Sequence, residues 1–299
     1  MKARTWLSQA EKALQAHDIS SARLDALVLL EDAVGRYRSW LLAHPEHELD
    51  EKTLRTLNAQ LERRCGHEPL AYIRGKSDFY GREFIVNAHT LEPRPETETM
   101  IELLKQVIAS RQSPVASEAQ CKEQETSDKR RKTTMTIVDI GTGSGCIAIT
   151  VKLIYPEVSV IATDIDKKCL DTARQNAKKL GTKITFYRGN LLEPLSNIRY
   201  QISNIIILAN LPYVPTHFKI NSAAQHEPHH AIFGGEDGLR YYRETFDQVA
   251  GMSHKPRFVL TEALPPQHDE LANIAKKADY QQISSQDFIQ VFSPKKNTP

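Results

Sequence analysis

The sequence predicts an α/β protein, a doubly wound and mostly parallel sheet behind an all-helical N-terminal domain and a β-hairpin linker. From residue 136 onward, apolar runs of strand length alternate with amphipathic stretches of helical length, the pattern of strands joined by crossover helices. The first run empties into Gly141-Thr142-Gly143-Ser144-Gly145, a turn that brings backbone close to a ligand at a helix N-terminus. Residues 1–66, by contrast, carry helical periodicity with no strand pattern.

Taken in order, Leu7, Ala10, Ala13 and Leu14 mark the apolar face of a first helix. Leu24, Leu27, Val28, Leu30 and Val34 mark a second, which Gly35 ends in a C-cap position. A third helix is expected over 50–64, with Leu54, Leu57 and Leu61 inward and Gly66 as its stop. Two β-prone runs meeting at Gly81 within 78–86 read as a hairpin. Pro95 suits the first turn of a helix carrying Met100, Leu103, Leu104 and Val107. The stiff segment before it either presents Arg94 and Glu96 to a cleft or connects two domains. Residues 111–134 are polar, contain Pro and Ser, and carry charges of both signs; they are expected to be a disordered insertion. The run Lys129-Arg130-Arg131-Lys132 within them reads as a solvated charge cluster rather than a nucleic-acid patch. Strands follow at 136–140, 158–163, 184–187, 205–209, 258–261 and 288–292, with helices from 167 to about 181, over 240–250 and over 271–278. The expected division is a helical domain over 1–75, a hairpin linker over 76–92 and a sheet domain over 93–299.

Composition narrows the class. Apolar residues make up 40% and charged residues 25%, as in ordinary soluble globular proteins. No apolar run approaches the ~20 residues of a membrane span, and the N-terminus lacks a signal peptide's apolar segment. Cys65, Cys121, Cys146 and Cys169 show no metal-ligand spacing and read as reduced thiols of a cytoplasmic protein without a metal site. The net charge of +2, from 39 basic and 37 acidic residues, gives no argument for direct nucleic-acid binding.

Ligands of open α/β sheets lie beyond the carboxyl ends of the strands, so the residues there matter most. The dinucleotide fingerprint requires a glycine where Cys146 stands, and no Gly-Lys-Ser/Thr of a phosphate loop follows. Asp139-Ile140-Gly141-Thr142-Gly143-Ser144-Gly145 instead resembles the first motif of S-adenosylmethionine-dependent methyltransferases. Asp164 ends the second strand, where a carboxylate accepts from ribose hydroxyls; capping of the next helix is the alternative. Gly189-Asn190-Leu191 ends the third strand, where an amide replaces the acidic residue usual near adenine. Asn210-Leu211-Pro212-Tyr213 ends the fourth. By itself it is compatible with a plain strand-ending turn, but beside the other strand ends it resembles the Asn-Pro-Pro-Tyr motif of enzymes that methylate planar amide or amino nitrogens.

Further segments extend the likeness along almost the whole chain: Ala22-Arg23-Leu24-Asp25-Ala26, Trp40-Leu41-Leu42-Ala43-His44-Pro45, Glu68-Pro69-Leu70-Ala71-Tyr72-Ile73, Pro93-Arg94-Pro95-Glu96-Thr97-Glu98, Glu227-Pro228 and Gly234-Gly235-Glu236-Asp237-Gly238-Leu239. In order and spacing they resemble the release factor glutamine methyltransferases, the HemK/PrmC family. The resemblance implies a Rossmann-like class I methyltransferase domain with a seven-stranded sheet. It also implies N5-methylation of the glutamine in the Gly-Gly-Gln loop of class 1 peptide chain release factors, by a monomer, with S-adenosyl-L-methionine as donor. Carried onto this chain, Gly141, Thr142, Gly143, Ser144, Gly145, Asp164, Asn190, Leu191 and Asn210 bind the cofactor. Asn210, Leu211, Pro212 and Tyr213 bind the glutamine, with Asn210, Pro212 and Tyr213 catalytic. Leu211 stands where the family has a proline; it keeps the carbonyl acceptor, and Pro212 biases it to extended backbone. Residues 260–266 lack a glycine that the family's pattern includes. The rival readings are an adenine-N6 methyltransferase, which can use the same tetrapeptide on an exocyclic amine, and a catalytically idle cofactor-binding protein.

Overall fold

A computed structural model describes residues 1–110, 135–196 and 204–295; the predicted insertion at 111–134, with its basic run and Cys121, lies outside them. Five helices open the chain: α1 (Ala3–Ala16), α2 (Ala22–Val34), α3 (Arg38–Ala43), α4 (Glu51–Cys65) and α5 (Leu70–Arg74). Trp6, Ala10 and Leu14, four residues apart, are buried in one stripe of α1 against Ala26, Leu29, Leu30 and Leu57. The Asp50 carboxylate caps α4 by accepting the Thr53 amide at 2.7 Å. The expected face of α2 needs correction. Leu24 is exposed and Asp25 is buried, because apolar residues surround this helix and leave its orientation to its partners. The deciding contact is Arg64 of α4, whose Nε donates to Asp25 Oδ2 at 2.7 Å.

The hairpin pairs β1 (Lys76–Phe79) with β2 (Arg82–Ile85). Tyr80 and Gly81 both have positive φ, 50° and 70°, which matches the strands' right-handed twist. Phe79 and Phe84 are buried in the core of the sheet that follows.

A 3₁₀ turn at Pro95–Thr97 runs into α6 (Glu98–Ala109). Then come β3 (Thr136–Ile140), α7 (Cys146–Ile154), β4 (Ser159–Asp164), α8 (Lys167–Lys179), β5 (Thr185–Arg188), α9 (Glu193–Ser196) and β6 (Ile205–Ala209). The chain continues through α10 (His229–Ile232), α11 (Arg240–Gly251), β7 (Phe258–Glu262), α12 (His268–Lys277), β8 (Tyr280–Gln286) and β9 (Ile289–Pro294). The seven strands lie in the order β5-β4-β3-β6-β7-β9-β8, parallel except where β9 runs antiparallel to β7 and β8. Along β6 the apolar run alternates between two cores. Ile206 and Leu208 face α6 and α7, while Ile205, Ile207 and Ala209 face α11 and α12. Burial on both faces is why such strands read as unbroken apolar runs. The residues themselves signalled six of these strands. The seventh, β8, is a polar edge strand whose only buried residue is Tyr280, so it carries no apolar pattern.

Candidate active site

Ile140 pairs with Thr163 on one side and Ala209 on the other, and Ala209 pairs with Thr261. Gly141, Asp164, Asn210 and Glu262 therefore emerge side by side at the carboxyl edge, where the strand order reverses between β3 and β6. A cavity of about 300 Å³ opens there. Gly141, Thr142, Gly143, Ser144, Asp164, Asn190, Leu191, Asn210, Leu211 and Pro212 all line it; of the sequence-predicted site residues, Gly145 and Tyr213 are not part of the lining. Arg94 reaches the cavity, whereas Glu96 is exposed and does not.

Gly141 has φ 69°, and a Cβ there would lie 2.9 Å from Leu211 Cδ2. Only glycine suits both that backbone and the close packing of Leu211 on the loop. Asp139 underpins the turn: its Oδ2 accepts the Thr142 hydroxyl at 2.6 Å and the Ala148 amide at 3.2 Å. Burial pushes its carboxyl up to about 7. Asn176 of α8 ties loop to hairpin, donating from Nδ2 to the Ser144 and Ile85 carbonyls, both at 2.9 Å. Asp164 accepts the Gly143 amide on Oδ2 and the Asp166 amide on Oδ1, each at 2.9 Å. A carboxylate has about four acceptor positions, so two remain for a pair of hydroxyls. Leu191 sits at φ 52°, with its carbonyl anchored by the Thr163 hydroxyl at 2.8 Å. Strain of this kind holds only where surroundings impose it. The Asn190 amide leans toward Glu193, 3.5 Å from Oε1.

The Asn210–Tyr213 segment is clamped from below. Asn210 Nδ2 donates to Thr97 Oγ1 at 3.0 Å, which fixes the orientation of the amide. The Leu211 amide donates to the Tyr242 hydroxyl at 3.3 Å. The Tyr213 hydroxyl donates to Glu262 Oε1 at 3.2 Å, and the Tyr213 carbonyl accepts from Gln267 Nε2 at 2.8 Å. The loop of Gly234 and Gly238 backs it so closely that a Cβ on Gly238 would lie 2.0 Å from the Tyr213 carbonyl oxygen. Arg94 bridges two acidic side chains beside the cavity, pairing with buried Glu227 and with Glu92 at 3.4 Å.

Sequence reasoning assigned no role to Thr97, Glu262, Tyr242 or Gln267. Thr97 lies 113 residues from its partner Asn210, and no periodicity joins positions so far apart. Glu262 is fully buried and ends β7 as Asn210 ends β6. Burial pushes its carboxyl up to about 7, against the lowering effect of Thr97, Tyr213 and Asn210. The folded state therefore holds a proton that the unfolded chain has released between pH 4.5 and about 7. That contribution to stability is fully present below 4.5 and is lost as pH rises through 7. Thermal melts should show the melting temperature falling from pH 5.5 to pH 8, with a shallower fall in Glu262→Gln. An equal slope in that variant would contradict the assignment.

Two family models match the chain, one described as the PrmC N-terminal domain over residues 5–75 and one as a methyltransferase small domain over residues 124–227. The release factor glutamine methyltransferase of Bacillus subtilis is 37% identical over 239 residues, covering 79% of this chain and 76% of the relative. That of Koribacter versatilis is 34% identical, with 80% and 78% covered. A bifunctional methyltransferase of Rickettsia felis is 36% identical over 79% of this chain, which spans only 46% of that relative; the chain thus covers about half the length of such bifunctional proteins. Among solved structures, the hMettl16 catalytic domain in complex with a 3'UTR hairpin shares the fold, with a TM-score of 0.53 at 11% identity over 81% of this chain and 82% of that one. By its sequence relatives, the chain belongs to the release factor glutamine methyltransferase family.

Proposed function

We propose that this protein transfers a methyl group from S-adenosyl-L-methionine to the side-chain amide nitrogen (N5) of the glutamine in the Gly-Gly-Gln motif of class 1 peptide chain release factors. One observation carries the reading. Among the described residues, none donates to Asn210 Oδ1 or to the Leu211 carbonyl, although the Asn210 Nδ2, the Leu211 amide, the Tyr213 hydroxyl and the Tyr213 carbonyl are all engaged. Two acceptors without a donor, on residues that line the cavity, match the two N–H groups of a primary amide.

An amide nitrogen is a poor nucleophile because its lone pair is conjugated, so catalysis rests on placement. Asn210 Oδ1 takes one N–H and the Leu211 carbonyl takes the other, while Tyr213, outside the cavity lining, braces the segment through its hydroxyl bond to Glu262. Approximation of this kind is worth roughly 7–11 kcal/mol in favourable cases. Acceptors aimed at the N–H groups also stabilise positive charge growing on nitrogen. No separate base is needed, because methylation makes the nitrogen acidic. The cavity lining supports this donor: Gly141 to Ser144 offer backbone before the N-terminus of α7, Asp164 keeps two acceptor positions for ribose, and Asn190 and Leu191 flank the adenine side. When bound, the donor supplies an electrophilic methyl group on its sulfonium. Within this reading the enzyme acts in the cytoplasm as a monomer on a protein partner. No helix among the described residues is long and apolar enough to cross a membrane.

Incubation with labelled S-adenosylmethionine, a release factor, its Gly-Gly-Gln glutamine→Ala variant and DNA separates the readings. Label on the intact factor alone is expected. Label on DNA, or equal label on the variant factor, would overturn the proposal, as would cofactor binding without transfer to any release factor.

A further inference from the structure

Leu211 occupies a position where a proline ring would fix φ near −65° and remove the amide hydrogen. Leucine does neither, yet the direction of its carbonyl matters to the proposed amide clamp. The carbonyl is aimed by φ and ψ of residue 211. Pro212 restricts ψ, which leaves φ to be held by something else.

Among the described residues, one group stands there. β6 and β7 pair as far as Ala209 and Thr261, and beyond that point the Leu211 amide and the Glu262 carbonyl are no longer joined across the β6–β7 seam. The Tyr242 hydroxyl fills the gap: it accepts the Leu211 N–H at 3.3 Å and donates to the Glu262 carbonyl. Tyr242 is fully buried, and Leu211 is 3% exposed, so no solvent replaces either bond. Burial also drives the phenol well above its ordinary range, which keeps it a donor. The phenol is set at this height by α11, whose start is fixed by the Leu239 amide donating to Asp237 Oδ1 at 3.0 Å.

We propose that Tyr242 is a positioning residue for methyl transfer, whose hydroxyl bridges the Leu211 amide to the Glu262 carbonyl and thereby holds the Leu211 carbonyl toward the substrate in place of a proline ring. This rests on the amide-clamp reading above. Removing the hydroxyl leaves a buried amide hydrogen unsatisfied, which costs about 1–3 kcal/mol and frees φ at residue 211. A proline at 211 has no such hydrogen, so there the hydroxyl loses this task.

The test measures Tyr242→Phe in two backgrounds, the wild-type chain and Leu211→Pro, with steady-state kinetics on a release factor and cofactor affinity by calorimetry. In the wild-type background Tyr242→Phe is expected to lower kcat about tenfold with cofactor affinity unchanged. In the Leu211→Pro background the same change should cost less than about twofold, whatever that background's own activity. An equal cost in both, or no cost in the wild-type chain, would overturn the proposal. A second readout needs neither proline nor turnover: hydrogen exchange at the Leu211 amide. Exchange should accelerate in Tyr242→Phe while the amides of β6 stay protected, and unchanged protection at Leu211 would refute the bridge. Because exchange requires no substrate, a failure of the substrate assignment remains distinguishable from a failure of the bridge.

Discussion

Replacing Asn210 by alanine is expected to lower kcat for methyl transfer by about 10²–10³-fold while cofactor binding stays measurable. The size follows from what the side chain does. Its Nδ2 is spent on Thr97 at 3.0 Å, which turns Oδ1 outward as an acceptor. Alanine removes the acceptor and frees the substrate nitrogen to rotate. Asn210→Asp should not rescue. It keeps an acceptor oxygen but loses the donor to Thr97 and places a second carboxyl beside Glu262, whose own carboxyl burial already pushes up to about 7; adjacent buried carboxylates resist joint ionisation. Single-turnover rates at saturating cofactor read the effect directly, and unchanged turnover in Asn210→Ala would refute the role assigned to it.

Asp164→Ala should act on binding instead. The carboxylate anchors the Gly143 and Asp166 amides, each at 2.9 Å, and offers its remaining positions to two hydroxyls. Hydrogen bonds to a charged acceptor are worth about 1.5–3 kcal/mol each. Loss of two predicts a cofactor Kd weaker by at least about 10²-fold, with kcat at saturation much less affected. Asp164→Asn, which keeps one acceptor oxygen, should fall between. Calorimetry with the cofactor decides the matter: affinity unchanged in Asp164→Ala would remove Asp164 from the site.

The strand ends were legible because buried parallel strands announce themselves as apolar runs, and a polar or glycine residue that stops such a run sits at the ligand edge. Gly141, Asp164 and Asn210 were found this way. The Leu211 departure is legible too, but its consequence is not: the sequence shows a kept carbonyl acceptor and a following proline, whereas the structure shows the Leu211 amide received by Tyr242. Groups that support a site from behind have no such signature. Thr97, Tyr242, Glu262 and Gln267 reach the tetrapeptide across large sequence separations, through contacts between single atoms, and the pattern of apolar residues is blind to them. β8 escaped for the opposite reason, since an edge strand with one buried residue shows water a polar surface. Leu24 was misplaced because α2 is apolar on several sides, and an ion pair with α4 decided which side turns inward.

The most direct measurement is the position of the transferred methyl group. Tandem mass spectrometry of the Gly-Gly-Gln peptide, from a release factor treated with this protein and S-adenosyl-L-methionine, should show one methyl group on the glutamine side-chain amide, formed about 10²–10³-fold more slowly when Asn210→Ala replaces the wild-type chain. A methyl group on any other residue, or an unmodified glutamine despite bound cofactor, would contradict the account.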